Sequence, residues 1–231
     1  MLSSREQNPN GQGPSRADLA RAGFINTTRA QRLLADPALT PLLQAIPVGQ
    51  LLSDLSDSPD PDQATLALVR LCEASPKPQQ LAQDLKRSSH RRRLLALLGA
   101  SSALGDFLIA NPDSVACLDQ EFDAEKVAAT MTSRVKRALD AGSIPDAVHA
   151  LRYYQALCAI AAGDLTHPQP LQYMPQVGLQ LSQLADAAVA AALPIAYRKA
   201  GASDQLAFCV IAMGKTGARE LNYISDVDVM Y

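Results

Sequence analysis

Two aspartates near the end of the chain, Asp226 and Asp228, have the spacing of a metal-binding pair. They lie in residues 225–231, SDVDVMY, where polar and apolar residues alternate as in a half-buried β-strand. Side chains at positions i and i+2 of a strand point to one face, so both carboxylates would emerge together. Two carboxylates about 5 Å apart repel by roughly 3 kcal/mol at an effective dielectric constant near 20. A site that keeps both ionised therefore favours a divalent cation, and Mg²⁺ is a hard ion that prefers such oxygen ligands.

A glycine-containing loop precedes the aspartates and has the residue types of a phosphate site. Gly214 and Gly217 flank Lys215 and Thr216. Glycines let the backbone approach a phosphate closely, and the N–H groups that open a short helix over residues 218–222 would hold it. Lys215 would add a positive charge. A metal beside a phosphate is the arrangement for phosphoryl or nucleotidyl transfer, in which the metal neutralises charge on the phosphorus oxygens.

The same Gly-Lys-Thr triplet also matches the end of a P-loop. That motif needs a glycine followed by four loop residues before Gly214, because its backbone must curl around a phosphate. Cys209 stands at the first position, and residues 210–213 are Val-Ile-Ala-Met, which favour a strand. An ATP-hydrolysing P-loop protein would require Lys215 and would tolerate loss of both aspartates. The sequence favours the carboxylate interpretation.

Composition and charge bound the remaining function classes. The 231 residues are 48% hydrophobic, which is enough for a large domain or for one domain and part of another. A net charge of −2 provides no basic face for nonspecific binding, so nucleic acid is not an expected partner. The chain has no Trp and only 4% aromatic residues, so its core must be built from aliphatic side chains, a composition that favours packed helices.

The cysteines and the apolar segments indicate a cytoplasmic protein. The four cysteines are far apart in sequence, and none forms a close pair with another cysteine or with a histidine, which argues against structural zinc. Most of them lie in apolar stretches, as buried thiols in a reducing compartment do. No segment reads as long and apolar enough to span a membrane, and the polar first residues do not form a signal peptide.

Periodicity divides the chain into three regions. Residues 1–16 are rich in Gly, Pro, Asn and Ser and predict a disordered tail. Residues 17–200 predict a helical domain, with helices at 61–74 (capped by Asp60), 124–141, 143–165 and 175–200. Residues 201–231 predict a strand over 206–212 that is buried on both faces, the glycine loop, a short helix and the aspartate strand. We therefore expect a mainly α-helical region followed by the start of an α/β (α+β) domain that stops after its second strand.

The terminal motif resembles that of the polymerase-β-like nucleotidyltransferase superfamily, in which a glycine, a short helix and a strand with Asp-x-Asp follow one another. The longer string MGKTGARELNYISDVDVMY resembles the signature Gly-Lys-x-Gly-x-x-Glu-Leu-Asn-x-x-Ser-Asp-x-Asp of the bifunctional glutamine synthetase adenylyltransferase/adenylyl-removing enzyme family. The matching residues are Gly214, Lys215, Gly217, Glu220, Leu221, Asn222, Ser225, Asp226 and Asp228. The Gly-Ala-Arg loop and Tyr223 are similar to the actinobacterial branch, and the resemblance extends over about residues 17–231.

This resemblance implies an enzyme that controls glutamine synthetase. The family removes AMP from a tyrosine of that protein by phosphorolysis, which gives ADP, and adds AMP from ATP, and it responds to a PII-type signalling protein and to glutamine. Asp226 and Asp228 would be catalytic and would ligate Mg²⁺. The loop of Gly214, Lys215, Thr216 and Gly217, with Ser225, would bind nucleotide or phosphate. Glu220 and Asn222 match the signature as structural residues.

The resemblance also implies parts that have no position in these 231 residues. The family has a third carboxylate on a later strand, a regulatory domain and a second catalytic domain. We therefore expect the chain to be the amino-terminal piece of a longer enzyme, inactive alone, and the copy that removes AMP. The motif is common to both copies, so addition of AMP stays open. The alternative is a helical docking module for glutamine synthetase with an incomplete, inactive catalytic tail.

Overall fold

The computed structural model describes residues 13–149, 152–202 and 207–231. These residues are mainly helical, as the composition predicted, and the chain divides into two compact units between Val115 and Ala116. This division falls inside the region that the sequence analysis treated as one helical domain. The predicted boundary near residue 200 stays a prediction.

The first unit consists of eight α-helices within the described residues. They are Arg16–Arg21 (α1), Thr27–Leu34 (α2), Thr40–Ala45 (α3), Val48–Ser56 (α4), Pro61–Ala74 (α5), Pro78–Asp84 (α6), Ser88–Ala100 (α7) and Ser102–Ala110 (α8). Helix α5 is central and packs against α7 and α8. It begins as predicted, since the Asp60 carboxylate accepts a hydrogen bond from the Gln63 N–H at 2.9 Å.

The tail predicted over residues 1–16 lies largely outside the described residues. Its predicted end is too late by two residues. Ser15 caps α1, because its hydroxyl accepts a hydrogen bond from the Asp18 N–H at 3.2 Å and donates one to the Asp18 carboxylate at 2.6 Å. Helix α1 then begins at Arg16.

A buried ion pair involves the basic run of residues 86–93, KRSSHRRR. Arg91 is 1% exposed, and its Nε donates to Asp54 Oδ2 on α4 at 2.6 Å. Its Nη1 also donates to the Leu85 carbonyl at 2.7 Å. Arg91 therefore ties α7 to α4 and to the end of α6, in the middle of the first unit.

The second unit is built around one long helix. Its elements are Ala124–Asp140 (α9), Ile144–His149 (α10), Tyr153–Leu165 (α11), Pro170–Ala200 (α12), Ile211–Ala212 (β1), Gly214–Gly217 (α13) and Val229–Met230 (β2). Helix α12 packs against α9 and α11, and its buried side chains Leu181, Leu184 and Ala191 lie in the same core as Val135 of α9. The aliphatic core expected from the composition is confirmed.

The single helix predicted over residues 143–165 was wrong. The Ser143 hydroxyl accepts from the Asp146 N–H at 3.2 Å and opens α10 as expected, but this helix ends at His149. Residues 150–151 lie outside the described residues, and Arg152 has a left-handed backbone (φ 46°, ψ 36°) before α11 begins. An α-helix cannot pass through a residue in that conformation.

The sequence analysis expected no segment long and apolar enough to span a membrane, but α12 meets both criteria. It has 31 residues and meets the length and hydropathy of a membrane-spanning helix. The core helix of a globular domain meets the same criterion, and α12 buries one face against α9 and α11. The apolar sequence of α12 is accounted for by this packing.

Candidate functional site

The two strands near the end of the chain form an antiparallel pair. This pairing positions residues 225–228, which contain Asp226 and Asp228 and are called the aspartate segment. Ile211 lies opposite Met230 and Ala212 opposite Val229. The Met213 N–H donates to the Asp228 carbonyl at 2.9 Å and extends the pairing by one residue. The loop that follows β1 and the segment that precedes β2 are therefore held side by side.

These strands are shorter and more exposed than the sequence predicted. Strand β2 contains only Val229 and Met230, so Asp226 and Asp228 lie in the extended segment before it. Val227 and Val229 are 38% and 40% exposed, and the residues described in 207–212 are exposed or half-buried. Residue 206 lies outside the described residues. A two-stranded sheet has no neighbouring layer that would bury its faces, which explains the difference.

The glycine loop is itself helical. Helix α13 spans Gly214–Gly217, whereas the helix predicted over residues 218–222 was wrong: residues 218–219 form a turn and residues 220–222 are irregular. The residues before Gly214 are strand and extended backbone rather than a phosphate-encircling loop, which argues against the P-loop hypothesis.

Both glycines of the loop are required by close contacts. Gly214 has φ 52°, a conformation that residues with a side chain rarely adopt. A Cβ on Gly217 would lie 2.5 Å from the Ala212 carbonyl oxygen, so a side chain there would force the loop away from β1. The spacing of the two glycines therefore follows from how tightly the loop turns back on its own strand.

The closest approach between the loop and an aspartate is at Gly214. A Cβ on Gly214 would lie 2.9 Å from Asp228 Oδ2. The Asp228 carboxylate thus occupies the space that a side chain would fill, directly above the start of α13. The structure brings together the two motifs that the sequence analysis had linked only by their order.

Lys215, Ser225 and Asn222 form a hydrogen-bonded network behind the aspartates. Lys215 Nζ donates to Ser225 Oγ at 3.4 Å, and Ser225 Oγ donates to Asn222 Oδ1 at 2.7 Å. The same Asn222 oxygen accepts from the Ile224 N–H at 3.1 Å, which closes a local turn. Ser225 therefore joins the loop lysine to the turn that leads into the aspartates.

Thr216 and Asp226 lie in contrasting environments. Thr216 is 4% exposed, and its Oγ1 is buried without a hydrogen-bond partner in the described part of the chain. The Asp226 side chain is exposed, and neither aspartate carboxylate has a hydrogen bond or ion pair within the described residues. Free, exposed carboxylates are available to bind a cation, whereas the buried Thr216 hydroxyl is not accessible to a bound phosphate.

The segment between the loop and the aspartates is anchored on α12. Leu221 is 4% exposed and packs in the core of the second unit. Its N–H donates to Ser182 Oγ at 3.3 Å, and Ser182 Oγ donates to the Gly178 carbonyl at 2.9 Å. A Cβ on Gly178 would lie 3.4 Å from Glu220 Cα, so a larger residue would press on this segment.

A tyrosine adds a second anchor. The Tyr223 hydroxyl donates to Asp164 Oδ2 on α11 at 3.0 Å. Partial burial and the negative charge of Asp164 raise the pKa of Tyr223 above its ordinary value. The sequence analysis did not identify Gly178, Ser182 or Asp164. Gly178 and Ser182 are small residues four positions apart on α12, but this spacing alone does not specify their partner.

Within the described residues, no group of three or more His, Cys, Asp and Glu side chains is placed to hold a metal ion. Asp226 and Asp228 are the carboxylates of this segment that a cation would use. Both are hard oxygen ligands, as Mg²⁺ requires, and one or two protein carboxylates are enough when water and substrate phosphates complete its shell. The residues present fit such an ion.

Comparison with known proteins identifies the family. The model of the glutamate-ammonia ligase adenylyltransferase family matches residues 91–231. The chain is 34% identical to the bifunctional glutamine synthetase adenylyltransferase/adenylyl-removing enzyme of Leifsonia xyli subsp. xyli, over 92% of the chain and 22% of that protein. It is 38% identical to the enzymes of the same name from Mycobacterium avium and Streptomyces avermitilis, over 96% and 92% of the chain and 23% and 21% of those proteins.

The chain therefore spans about a fifth of the length of the curated relatives it matches. No solved structure matches it. The family match covers more than half of the chain and includes the glycine loop, both aspartates and the helices on which they are anchored. The chain belongs to the glutamate-ammonia ligase adenylyltransferase family.

Proposed function

We propose that this chain is the amino-terminal part of an enzyme that regulates glutamine synthetase by removing AMP from a tyrosine through phosphorolysis and by adding AMP from ATP. Both reactions transfer a nucleotidyl group between a tyrosine hydroxyl and a phosphate oxygen. The observation that supports the proposal is the close approach of the Asp228 carboxylate to Gly214, where an added Cβ would lie 2.9 Å from Asp228 Oδ2. The proposed metal ligand Asp228 therefore lies beside the glycine loop. The names of the relatives support glutamine synthetase as the protein substrate.

The chain's own residues take distinct parts in this proposal. The exposed carboxylates of Asp226 and Asp228 would hold Mg²⁺, which supplies charge neutralisation on the phosphorus oxygens when bound. Lys215, at the surface of α13, would contact a phosphate and stay aligned through Ser225. Gly214 and Gly217 keep the loop close to the aspartates, and a phosphate would approach the loop backbone where no side chain intervenes.

The helices would contact the protein substrate. Glutamine synthetase is much larger than a nucleotide, so a surface around the site must position its tyrosine, and the helical region provides such a surface. We further propose that the enzyme is cytoplasmic, where ATP, ADP and phosphate are available. A PII-type protein and glutamine would act through regions of the enzyme beyond these residues.

We also propose that the 231 residues alone do not catalyse the reaction. The described residues hold no third acidic ligand near the aspartates, and the two-stranded sheet is largely exposed. This supports the docking module as the second candidate function. It predicts that the isolated chain binds glutamine synthetase and that the longer enzyme tolerates loss of both aspartates.

The test measures ADP release from adenylylated glutamine synthetase and phosphate, catalysed by the longer enzyme that contains this chain. Asp226→Asn and Asp228→Asn should each lower kcat by about 100-fold or more, because they weaken the metal site. Asp186→Asn is the matched control, since it removes an exposed carboxylate from α12, and should leave the rate unchanged. Unchanged phosphorolysis in both site variants would favour the docking module.

The direction of the reaction is settled by assaying both directions. If this copy removes AMP, the two site variants lose ADP release while AMP addition from ATP persists. Loss of AMP addition with intact ADP release would assign this copy to adenylylation instead.

A further inference from the structure

A groove lies between α9 and α11 in the second unit, away from the aspartate segment. Its volume is about 500 Å³, within the range of roughly 300–1,000 Å³ for small-molecule sites. Helix α9 lines it with Lys126, Thr130 and Arg134, which are four residues apart and share one face. Arg152 and Gln155, at the start of α11, line the opposite wall.

The groove lining combines apolar side chains with charged side chains that are separated along α9. The apolar lining residues are Cys117, Phe122, Val127, Met131, Ala156 and Ala159. The acidic residues Glu121 and Asp123 lie at the beginning of α9, whereas Arg134 lies about 16 Å further along by the helical rise. The Asp123 carboxylate is already used, since it accepts from the Lys126 N–H at 3.0 Å as the cap of α9. The end of the groove at Arg134 is therefore basic.

The two arginines at this end lack acidic partners. Neither the Arg134 nor the Arg152 side chain forms an ion pair or hydrogen bond within the described residues. Partial burial lowers the pKa of Arg134, and the positive charges of Arg152 and Arg137 lower it further. A negative charge in the groove would offset this repulsion.

The backbone of Arg152 is also unusual. Its left-handed conformation (φ 46°) is disfavoured for a residue with a long side chain. Such residues concentrate at binding and active sites, where the surrounding structure holds them in place. Arg152 directly precedes α11, and its side chain lines the groove.

We propose that this groove binds a small molecule with an oxyanion head group, either phosphate or carboxylate, held by Arg134 and Arg152. A guanidinium group forms paired hydrogen bonds with either oxyanion, and two such groups give the head group a defined orientation. Apolar lining residues such as Met131 and Ala156 would contact the body of the molecule. None of the lining residues belongs to the glycine loop or to the aspartate segment, so this site is independent of the proposed function.

The experiment is calorimetric titration of the 231-residue chain with two anionic ligands and one cationic control, each of which carries a phenyl ring. Phenyl phosphate and benzoate present the two head groups on the same ring, and benzylammonium presents a positive charge instead. Saturable binding of phenyl phosphate alone identifies a phosphate ligand, and binding of benzoate alone identifies a carboxylate ligand. Binding of neither anion at millimolar concentration, or equal binding of benzylammonium, overturns the proposal.

Three variants test which residues hold the anion. Arg134→Gln and Arg152→Gly should each weaken anion binding about tenfold, the effect of losing one charge-assisted interaction. Arg152→Gly also relieves the left-handed backbone, so the fold should be retained, and thermal unfolding by circular dichroism checks this. Arg137→Gln removes the same charge one turn further along α9, outside the groove, and should change affinity less than twofold. An equal loss in Arg137→Gln would mean that only the overall charge matters and would overturn the proposal.

Discussion

The hydroxyl of Ser182, on the long helix α12, accepts a hydrogen bond from the backbone N–H of Leu221 across 3.3 Å. The same hydroxyl donates to the Gly178 carbonyl at 2.9 Å, one helical turn earlier. A residue of the family signature is thus hydrogen-bonded to a residue of α12 that lies 39 positions away in sequence. This contact and the burial of Leu221 attach the segment between the glycine loop and the aspartates to α12.

Replacing Ser182 with Ala should destabilise this attachment. The Leu221 N–H is buried, and without its partner the free energy of unfolding should fall by about 1–3 kcal/mol. Urea denaturation measures the change, and amide hydrogen exchange at Leu221 shows whether it is local. Ser133→Ala is the matched control, because the exposed Ser133 hydroxyl donates to the Thr130 carbonyl within α9 at 3.0 Å. That control should change stability by less than about 0.5 kcal/mol, and an equal loss in both variants would contradict the assignment.

The Tyr223–Asp164 hydrogen bond should make stability depend on pH in the alkaline range. The pKa of Tyr223 is raised above its ordinary value of 10.0, chiefly by partial burial and then by the Asp164 charge. The folded state therefore favours the neutral phenol. This contribution is fully present below about pH 10, the unfolded pKa, and is lost as the pH rises towards the folded pKa.

Tyr223→Phe should accordingly be less stable than the unsubstituted chain at neutral pH, by at most about 1 kcal/mol for this partly exposed pair. The difference should diminish above about pH 10, and thermal unfolding from about pH 8 to about pH 11 measures it. Tyr231→Phe is the control, since Tyr231 is 85% exposed, and it should show no such trend. A Tyr223→Phe difference that stays constant with pH would contradict the role of the phenol.

Replacing Gly217 with Ala should open the loop next to the aspartates. The new methyl group would lie 2.5 Å from the Ala212 carbonyl oxygen, so α13 must move away from β1. We expect the free energy of unfolding to fall by about 1–3 kcal/mol. We also expect faster exchange of the Met213 N–H, whose bond to the Asp228 carbonyl extends the pairing of β1 with β2.

Gly163→Ala is the matched control for this change. Gly163 lies inside α11, and nothing comes within 4 Å of a Cβ placed there. Alanine should therefore stabilise the chain by about 0.5–1 kcal/mol through its higher helix propensity. If Gly217→Ala were also neutral or stabilising, the close packing of the loop would not be needed.

The buried Arg91–Asp54 pair should be among the most sensitive positions of the first unit. Asp54→Ala leaves the Arg91 guanidinium, 1% exposed, without its carboxylate, and breaking a buried pair costs about 3–5 kcal/mol. Asp106→Ala breaks the pair with Arg70, whose side chains are 49% and 58% exposed, and should cost less than about 1 kcal/mol. Urea denaturation of both variants tests the contrast, and equal costs would show that burial of Arg91 does not matter.

The sequence alone determined the helical class, several helix boundaries and the family. Local chemistry carries these features: Asp60 followed by Pro61 specifies a helix start, and Asn111-Pro112 ends α8 at Ala110. The spacing of Gly214, Gly217 and the two aspartates is likewise written in the sequence. It identified the candidate site before any contact was known.

Only the tertiary structure decided where those motifs are held and which charges are buried. Periodicity predicted a continuous helix over residues 143–165, but Arg152 has a left-handed backbone and a separate helix begins after it. Tertiary packing can override the helical periodicity of a sequence. The sequence does not distinguish Arg91 from the other basic residues of 86–93, and only the fold places Asp54 of α4 against it. The same holds for Ser182, whose partner Leu221 lies far along the chain. Contacts of this kind depend on which surfaces meet in three dimensions, and no local pattern of residues specifies them.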